Sequence, residues 1–174
     1  ILKKMNRHGG EDAVRSAVKK LRERIPGITL RSTVIVGFPG ETEEDFEELC
    51  AFVDEAKFDR MGTFAYSREE GTPAYDFQDQ IDEQVKQDRY DILMQTQLTV
   101  AEEKSAAMVG KELDVLCDGF DRVAEIYYGR SYADAPDVDG KVYFHSNRKI
   151  ASGEFVRVHV TEALDYDLIG KVID

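Results

Sequence analysis

Cysteine is scarce: Cys50 and Cys117 are the only two in 174 residues, and no CxxC, CxxxCxxC or HxxxH spacing occurs anywhere. Metal sites draw neighbouring ligands from such short spacings, so a self-contained zinc or iron–sulfur site is not expected. His8, His145 and His159 are too far apart in sequence to pair as ligands. A disulfide framework is not expected either, and the cysteine usage reads as cytoplasmic. Long apolar runs are missing as well. The longest, Thr33-Val34-Ile35-Val36-Gly37-Phe38, is strand-sized, far below the roughly 18–20 residues that span a bilayer. No basic-then-apolar N-terminus marks secretion, so no membrane partner is expected. Proline is limited to 4 residues and glycine to 13, which excludes collagen-like and low-complexity chains. Positive charge is in deficit: 23 basic against 35 acidic residues give −12. A surface this acidic does not attract a phosphate backbone over long range. It suits a basic partner, or no charged partner.

What is present divides into two textures, residues 1–109 and 110–174. In the first, Val14, Ala17, Val18 and Leu21 recur at helical spacing over Glu11–Arg24, and Pro26-Gly27 stops that helix. Ile28–Val36 reads as a strand, apolar enough for a parallel sheet covered on both faces. Pro39-Gly40 fits the centre of a type II turn. Thr42 with Asp45 resembles an N-cap with an acidic residue three later, opening a helix with Phe46, Leu49, Cys50 and Val53 inward. A strand over about Asp59–Tyr66 follows, then a loop with Gly71-Thr72-Pro73. Alternating helices and strands imply parallel strands joined by right-handed crossovers. One long helix is expected from about Asp82 to Val109, with Ile92, Leu93, Met94, Leu98 and Val100 as its apolar part and Gly110 as its cap.

Beyond Gly110 the period changes to two. Leu113–Cys117, Val123–Tyr128, Lys141–Phe144, Phe155–Val160 and Asp167–Ile173 read as strands, with Asp118-Gly119, Asp139-Gly140 and Ser152-Gly153 as turns. Five short strands in this length fit a small antiparallel barrel of the OB type. Cys50 and Cys117 read as packing residues. Tyr127, Tyr128, Tyr132, Tyr143 and Phe144 are either an aromatic binding face or core alternating with surface. Asp134, Asp137 and Asp139 are either a solvated turn or a contact for basic residues.

The strand–turn–helix Thr33–Asp45 is the most specific local feature. Parallel strands expose their C-terminal ends where ligands sit, and a glycine pair admits a ligand close to the main chain. A plain capped turn explains the same residues. Here a resemblance enters. Val36-Gly37-Phe38-Pro39-Gly40-Glu41-Thr42-Glu43-Glu44-Asp45-Phe46 resembles the signature of radical S-adenosylmethionine methylthiotransferases. Leu2–Arg7 resembles the segment before it in that family, and Phe64-Ala65-Tyr66-Ser67 with Gly71-Thr72-Pro73-Ala74 resembles its next strand and loop. The last 65 or so residues resemble its TRAM domain. Gly129–Gly140 is similar to the branch that attaches a methylthio group to the β-carbon of an aspartate in a small-subunit ribosomal protein (number twelve). Residues 110–174 carry 8 basic and 13 acidic residues, a net −5. That balance suits a basic protein client better than the basic stripe an RNA grip needs.

The resemblance implies an α/β plus all-β chain: the C-terminal portion of a (β/α)6 partial TIM-like barrel, followed by a five-stranded OB-like antiparallel barrel, the TRAM domain. It implies S-adenosylmethionine and two [4Fe-4S] clusters in the parent protein. One cluster is held by a CxxxCxxC loop and one by three further cysteines, all absent from this chain. Reductive cleavage of the cosubstrate would make a 5′-deoxyadenosyl radical that takes a hydrogen from the aspartate. This chain, opening on Ile1 in a charged helical segment, is therefore expected to be a piece of a longer protein. By itself it would be inactive, with no catalytic or metal-ligating residue of its own. What it would retain is cofactor-binding wall: Arg31, Ile35, Gly37, Tyr66 and Ser67. Ile35 and Gly37 match the middle of the superfamily's GxIxGxxE strand, but Thr33 replaces its first Gly and Gly40 stands at its Glu position. Glu41 then either contacts the cosubstrate or caps its own helix. Arg31 either faces the lumen and a carboxylate or makes a surface salt bridge. Tyr66 and Ser67 either line the cavity near adenine or are a core tyrosine and a turn serine. The expected partner is the ribosomal protein, met through the acidic TRAM domain. A transfer-RNA adenosine methylthiotransferase of the same superfamily, and a non-catalytic OB-like binding module, are the alternatives.

Overall fold

A computed structural model describes residues 1–173. It divides into two compact units, Ile1–Val100 and Ala101–Asp174. In the first unit, helix α1 (Gly10–Arg24) is amphipathic, yet none of its residues is fully buried; Val18 alone packs partly against the core. Strand β1 (Arg31–Val36) and strand β2 (Arg60–Ala65) pair in parallel from Arg31↔Arg60 to Val36↔Ala65. Helix α2 (Glu43–Ala56) crosses between them, the expected crossover unit.

The expected Thr42 cap forms in full. Thr42 Oγ1 accepts from the Asp45 N–H at 3.1 Å, and Asp45 Oδ2 accepts from the Thr42 N–H at 2.9 Å. Three acidic residues in the first turn complement the helix dipole. Phe46, Val53 and Ala56 of α2 pack with Leu30, Val36, Phe58, Met61 and Leu93 into one core. This core covers only one face of the sheet. Arg31 and Thr33 stand exposed and Ile35 half-buried on the other, so the expectation of cover on both faces is not met within this chain.

A short 3-10 turn (Pro73–Asp76) leads to helix α3 (Glu83–Ala106). The helix stops four residues before Gly110. Its last turns tighten through Met108 N–H to Ser105 O and Val109 N–H to Ala106 O bonds, and Gly110 lies beyond them with φ +84°. Its expected apolar side is also corrected. Ile92 is 51% exposed, whereas Lys86, Arg89, Leu93, Gln97, Val100 and Ala101 are buried. Those positions follow helical spacing, but the first two are cations.

The second unit is a closed barrel in the order β3-β4-β5-β7-β6. Its strands are β3 (Glu112–Asp121), β4 (Ile126–Arg130), β5 (Val142–His145), β6 (Phe155–Leu164) and β7 (Asp167–Val172). All neighbours are antiparallel except β5 and β7, whose parallel pairing closes the ring. Closure removes every sheet edge. Leu113, Val115, Cys117, Val142, Phe144, Ile150, Val156, Val158 and Val160 fill the interior, the inward set of a period-two pattern.

One expected turn and one expected strand start differ in the structure. Asp118-Gly119 does not end a strand; it sits at a bulge inside β3, where the register shifts between Cys117 and Gly119. The real turn follows at Asp121, whose Oδ1 accepts the N–H groups of Val123 and Ala124. Val123 is therefore 96% exposed rather than opening a strand.

Candidate functional site

The sheet of the first unit ends in a crowded turn. After Val36 the chain enters the left-handed region at Gly37, φ +71°, and again at Gly40, φ +80°. The Glu41 N–H closes the turn onto Phe38 O at 2.9 Å, and the Gly40 N–H donates to Asp79 O at 2.8 Å. Glu41, expected either to touch the cosubstrate or to cap α2, is buried and does not cap: Thr42 and Asp45 fill that role. Instead its Oε1 accepts the Gly37 N–H at 2.9 Å and Arg89 Nη1 at 2.6 Å.

Arg89 completes the cluster from α3. Its side chain is 7% exposed; Nη2 reaches Glu43 Oε2 at 2.9 Å, and its guanidinium lies 5.2 Å from the centre of the Phe46 ring. Burial pulls the Arg89 pKa down, but the bonds from Glu43 and Glu41 outweigh it and hold it above the ordinary arginine value. The guanidinium is thus a fixed charge at any working pH. One turn earlier, Lys86 is buried as deeply. Its stem runs over Gly37, where an added Cβ would lie 2.3 Å from Lys86 Cγ. Its ammonium bonds Glu83 Oε1 at 2.5 Å and sits 5.3 Å from the Tyr66 ring centre.

The five residues expected to form a cofactor wall fall in different places. Ile35 is paired with Phe64 in the sheet register, on the uncovered face. Phe64 is 61% exposed there, a large aromatic surface beside a half-buried aliphatic one. Arg31 is on the same face but at the opposite end of β1, four residues back, or roughly 13 Å along a strand. Gly37 and Tyr66 meet through Lys86. Tyr66 stacks edge-on against Phe38 at 5.2 Å, its N–H donates to Val36 O, and its Oη is buried without a hydrogen-bond partner. Ser67 is exposed and donates to Glu69 Oε1 at 2.5 Å.

Lys86 and Arg89 have no place in the sequence-based candidate set, and Phe64 enters it only within the motif Phe64–Ser67. The signal for the two cations was their place at i, i+3 and i+7 with Leu93, visible only once charge is allowed on an inward helix face. Among the described residues no group of three or more His, Cys, Asp or Glu is arranged to hold a metal. No helix among them is long and apolar enough to cross a membrane.

In the barrel the aromatics divide. Phe144 is fully buried and stacks with Tyr127 at 5.7 Å, and the Tyr127 Oη accepts the Ile150 N–H. Tyr128 carries the Lys141 ammonium 4.6 Å from its ring centre. Tyr132 is 72% exposed on the loop that holds Asp134, Asp137 and Asp139. Of those three, Asp134 bonds the Ser131 hydroxyl and N–H, and Asp139 the Ala135 N–H; they shape the loop. Cys117 lies in the barrel core and Cys50 packs partly on the α/β core. Burial raises both thiol pKa values, so neither is a ready thiolate.

Comparison with known proteins agrees with both units. Residues 1–53 match the radical SAM superfamily and residues 109–173 match the TRAM domain. The ribosomal protein uS12 methylthiotransferase RimO of Geotalea uraniireducens is 49% identical over 99% of this chain. Those of Geobacter sulfurreducens and Acetivibrio thermocellus are 48% and 47% identical over 99% and 100% of it. The chain spans 39%, 39% and 38% of the length of these relatives. With relatives 47–49% identical over essentially the whole chain, the radical SAM match over residues 1–53 and a closed five-stranded barrel under the TRAM match, the chain belongs to the radical S-adenosylmethionine methylthiotransferases, carrying part of their radical domain together with their TRAM domain.

Proposed function

We propose that this chain is the rear portion of an enzyme that methylthiolates the β-carbon of an aspartate in ribosomal protein uS12. The observation that carries the reading is similarity to uS12 methylthiotransferases over essentially every residue of both units. In the reaction an aspartate C–H becomes C–S–CH3. S-adenosylmethionine and iron–sulfur centres, two [4Fe-4S] clusters in this reading, supply the hydrogen-abstracting radical, the sulfur and the methyl group. Their cysteine ligands would come from the part of the enzyme this chain lacks.

The chain's own contribution is the wall against which the cosubstrate lies. Ile35 offers an aliphatic flank and Phe64 an aromatic one. Gly37 brings the backbone close, and Tyr66 and Ser67 line the mouth. Arg31, at the far end of β1, holds a carboxylate. The barrel's part is to grip the client. Its net charge of −5 and exposed Tyr132 suit a basic ribosomal protein, met in the cytoplasm.

The test is the reaction itself. The full-length enzyme, anaerobically loaded with clusters, is incubated with S-adenosylmethionine, reductant and uS12. The expected result is a uS12 mass increase of one methylthio group for one hydrogen, lost when the target aspartate is changed to alanine. An unmodified uS12 alongside a methylthiolated transfer-RNA adenosine would reverse the client assignment. A client-free protein that binds basic peptides and no S-adenosylmethionine would point to a binding module instead.

A further inference from the structure

We propose that Arg89 and Glu41 are positioning residues for the cosubstrate wall: a buried ion pair that fixes the Gly37 end of β1 without touching the ligand. The inference rests on the reading that β1 lines an S-adenosylmethionine site, and it assigns Glu41 a task different from ligand contact.

Glu41 has little freedom to do anything else. One carboxylate oxygen receives both the Gly37 N–H at 2.9 Å and Arg89 Nη1 at 2.6 Å, with only 4% of the side chain exposed. Gly37 is the residue through which β1 leaves the sheet, in a backbone region closed to most side chains, φ +71°. Its N–H can be held in that orientation only if its acceptor is fixed. Glu41 is fixed by Arg89, and Arg89 by the Phe46 face, by Glu43 and by its own position on α3. The line Arg89–Glu41–Gly37 therefore ties the second turn of a long helix to the end of the strand that carries Ile35. Lys86 closes the other side of Gly37 with its stem, so the turn is gripped from both directions.

A neutral packing residue at position 89 could fill the space. It could not supply the charge that keeps a buried carboxylate in one orientation, since an unpaired buried anion escapes toward water or takes up a proton. The Arg89 Nε remains buried with no partner. The site thus tolerates an unsatisfied donor for the sake of the two bonds that Nη1 and Nη2 make, which is the pattern expected where geometry outranks stability.

The experiment uses the full-length, cluster-loaded enzyme and reads binding rather than turnover. Arg89→Met, Arg89→Lys and Glu41→Gln are compared with Glu44→Gln, an exposed first-turn control. Calorimetry gives the dissociation constant for S-adenosylhomocysteine, the iron content checks the clusters, and hydrogen exchange follows residues 37–42. Arg89→Met and Glu41→Gln are expected to weaken binding roughly tenfold to a hundredfold, the usual size of an outer-shell loss, with iron content unchanged and faster exchange at 37–42. Arg89→Lys is expected to recover part of the affinity, and Glu44→Gln to keep all of it. Variants that melt earlier but bind the nucleotide as tightly as the parent would overturn the proposal, leaving the pair a stability element. If Arg89→Met does not fold, Glu41→Gln decides alone. A parent enzyme that binds the nucleotide but leaves uS12 unmodified would defeat the functional reading and not this one.

Discussion

At Arg89 a single guanidinium satisfies a carboxylate that is itself buried, and removing it leaves that charge stranded. Arg89→Met is expected to destabilise the α/β unit by about 3 kcal/mol, the lower end of the cost of breaking a buried pair. Glu43→Gln should cost under about 1 kcal/mol, because that carboxylate is 67% exposed. Urea titrations of the two variants check the contrast, and equal losses would contradict it. Glycine positions give a second residue-scale expectation in the barrel. A Cβ at Gly129 would lie 2.2 Å from Leu116 O, backbone that cannot step aside. Gly129→Ala should therefore cost more than Gly153→Ala, where a Cβ meets nothing within 4 Å and the penalty is only the strained φ of +85°. A smaller drop in melting temperature for the first than for the second would refute the clash. What sequence could not reveal at this scale is which charges turn inward. Lys86 and Arg89 look like any solvated helix cations until their positions relative to Leu93 are weighed against the short β1–α2 turn they cover.

Among the elements, α2 is the one whose start was fully legible, because a capping box is a contact between residues three apart and needs no tertiary context. Thr42→Ala should lower the stability of the α/β unit by about 1 kcal/mol, seen as a shift in urea midpoint with an unchanged slope. The same cap has a pH signature. The backbone N–H of Thr42 bonds Asp45 and lowers its pKa, against a smaller opposing effect of burial. A carboxyl whose pKa is depressed on folding stabilises fully above its ordinary value and loses that contribution as pH falls through the folded one. The cap should therefore hold at neutral pH and fade below about pH 4. In Asp45→Asn this acid-sensitive part of α2 stability should disappear, as read by helix circular dichroism on titrating from neutral into acid; an unaltered acid profile would rule it out. By contrast, the end of α3 and the β3 bulge are not legible locally, because each depends on a partner remote in sequence. Gly110 donates to Val160 O of β6, the strand paired with β3 and fifty residues on in sequence, and Asp118-Gly119 is carried through as strand by β4, which pairs with Cys117, Gly119, Phe120 and Asp121.

For the molecule as a whole, the two units differ in how completely they solve their edges. The barrel closes on itself. The two-stranded sheet keeps an open face and two outer edges, and α1 buries none of its residues fully. Native-state hydrogen exchange should find β3, β6 and β7 protected far longer than β1 and β2, and heating should release the α/β unit first. Concentration-dependent dimerisation through the open edges would accompany it. A single cooperative transition with uniform protection would contradict this. The barrel's periodicity and turns made its class readable from sequence, and the βαβ unit was readable from its caps and glycines. The extent of the missing cover was readable only through resemblance, since nothing in Arg31, Thr33, Ile35 and Phe64 says what lies over them.

The most direct measurement is the intact mass of uS12 from ribosomes of a host strain deleted for the gene that encodes this chain. The uS12 of that strain is expected to be lighter than the parental protein by one methylthio group in place of hydrogen, with the mass restored by the intact gene and not by one encoding the Arg89→Met variant. An unchanged uS12 mass, with the methylthio group missing instead from a transfer-RNA adenosine, would contradict it.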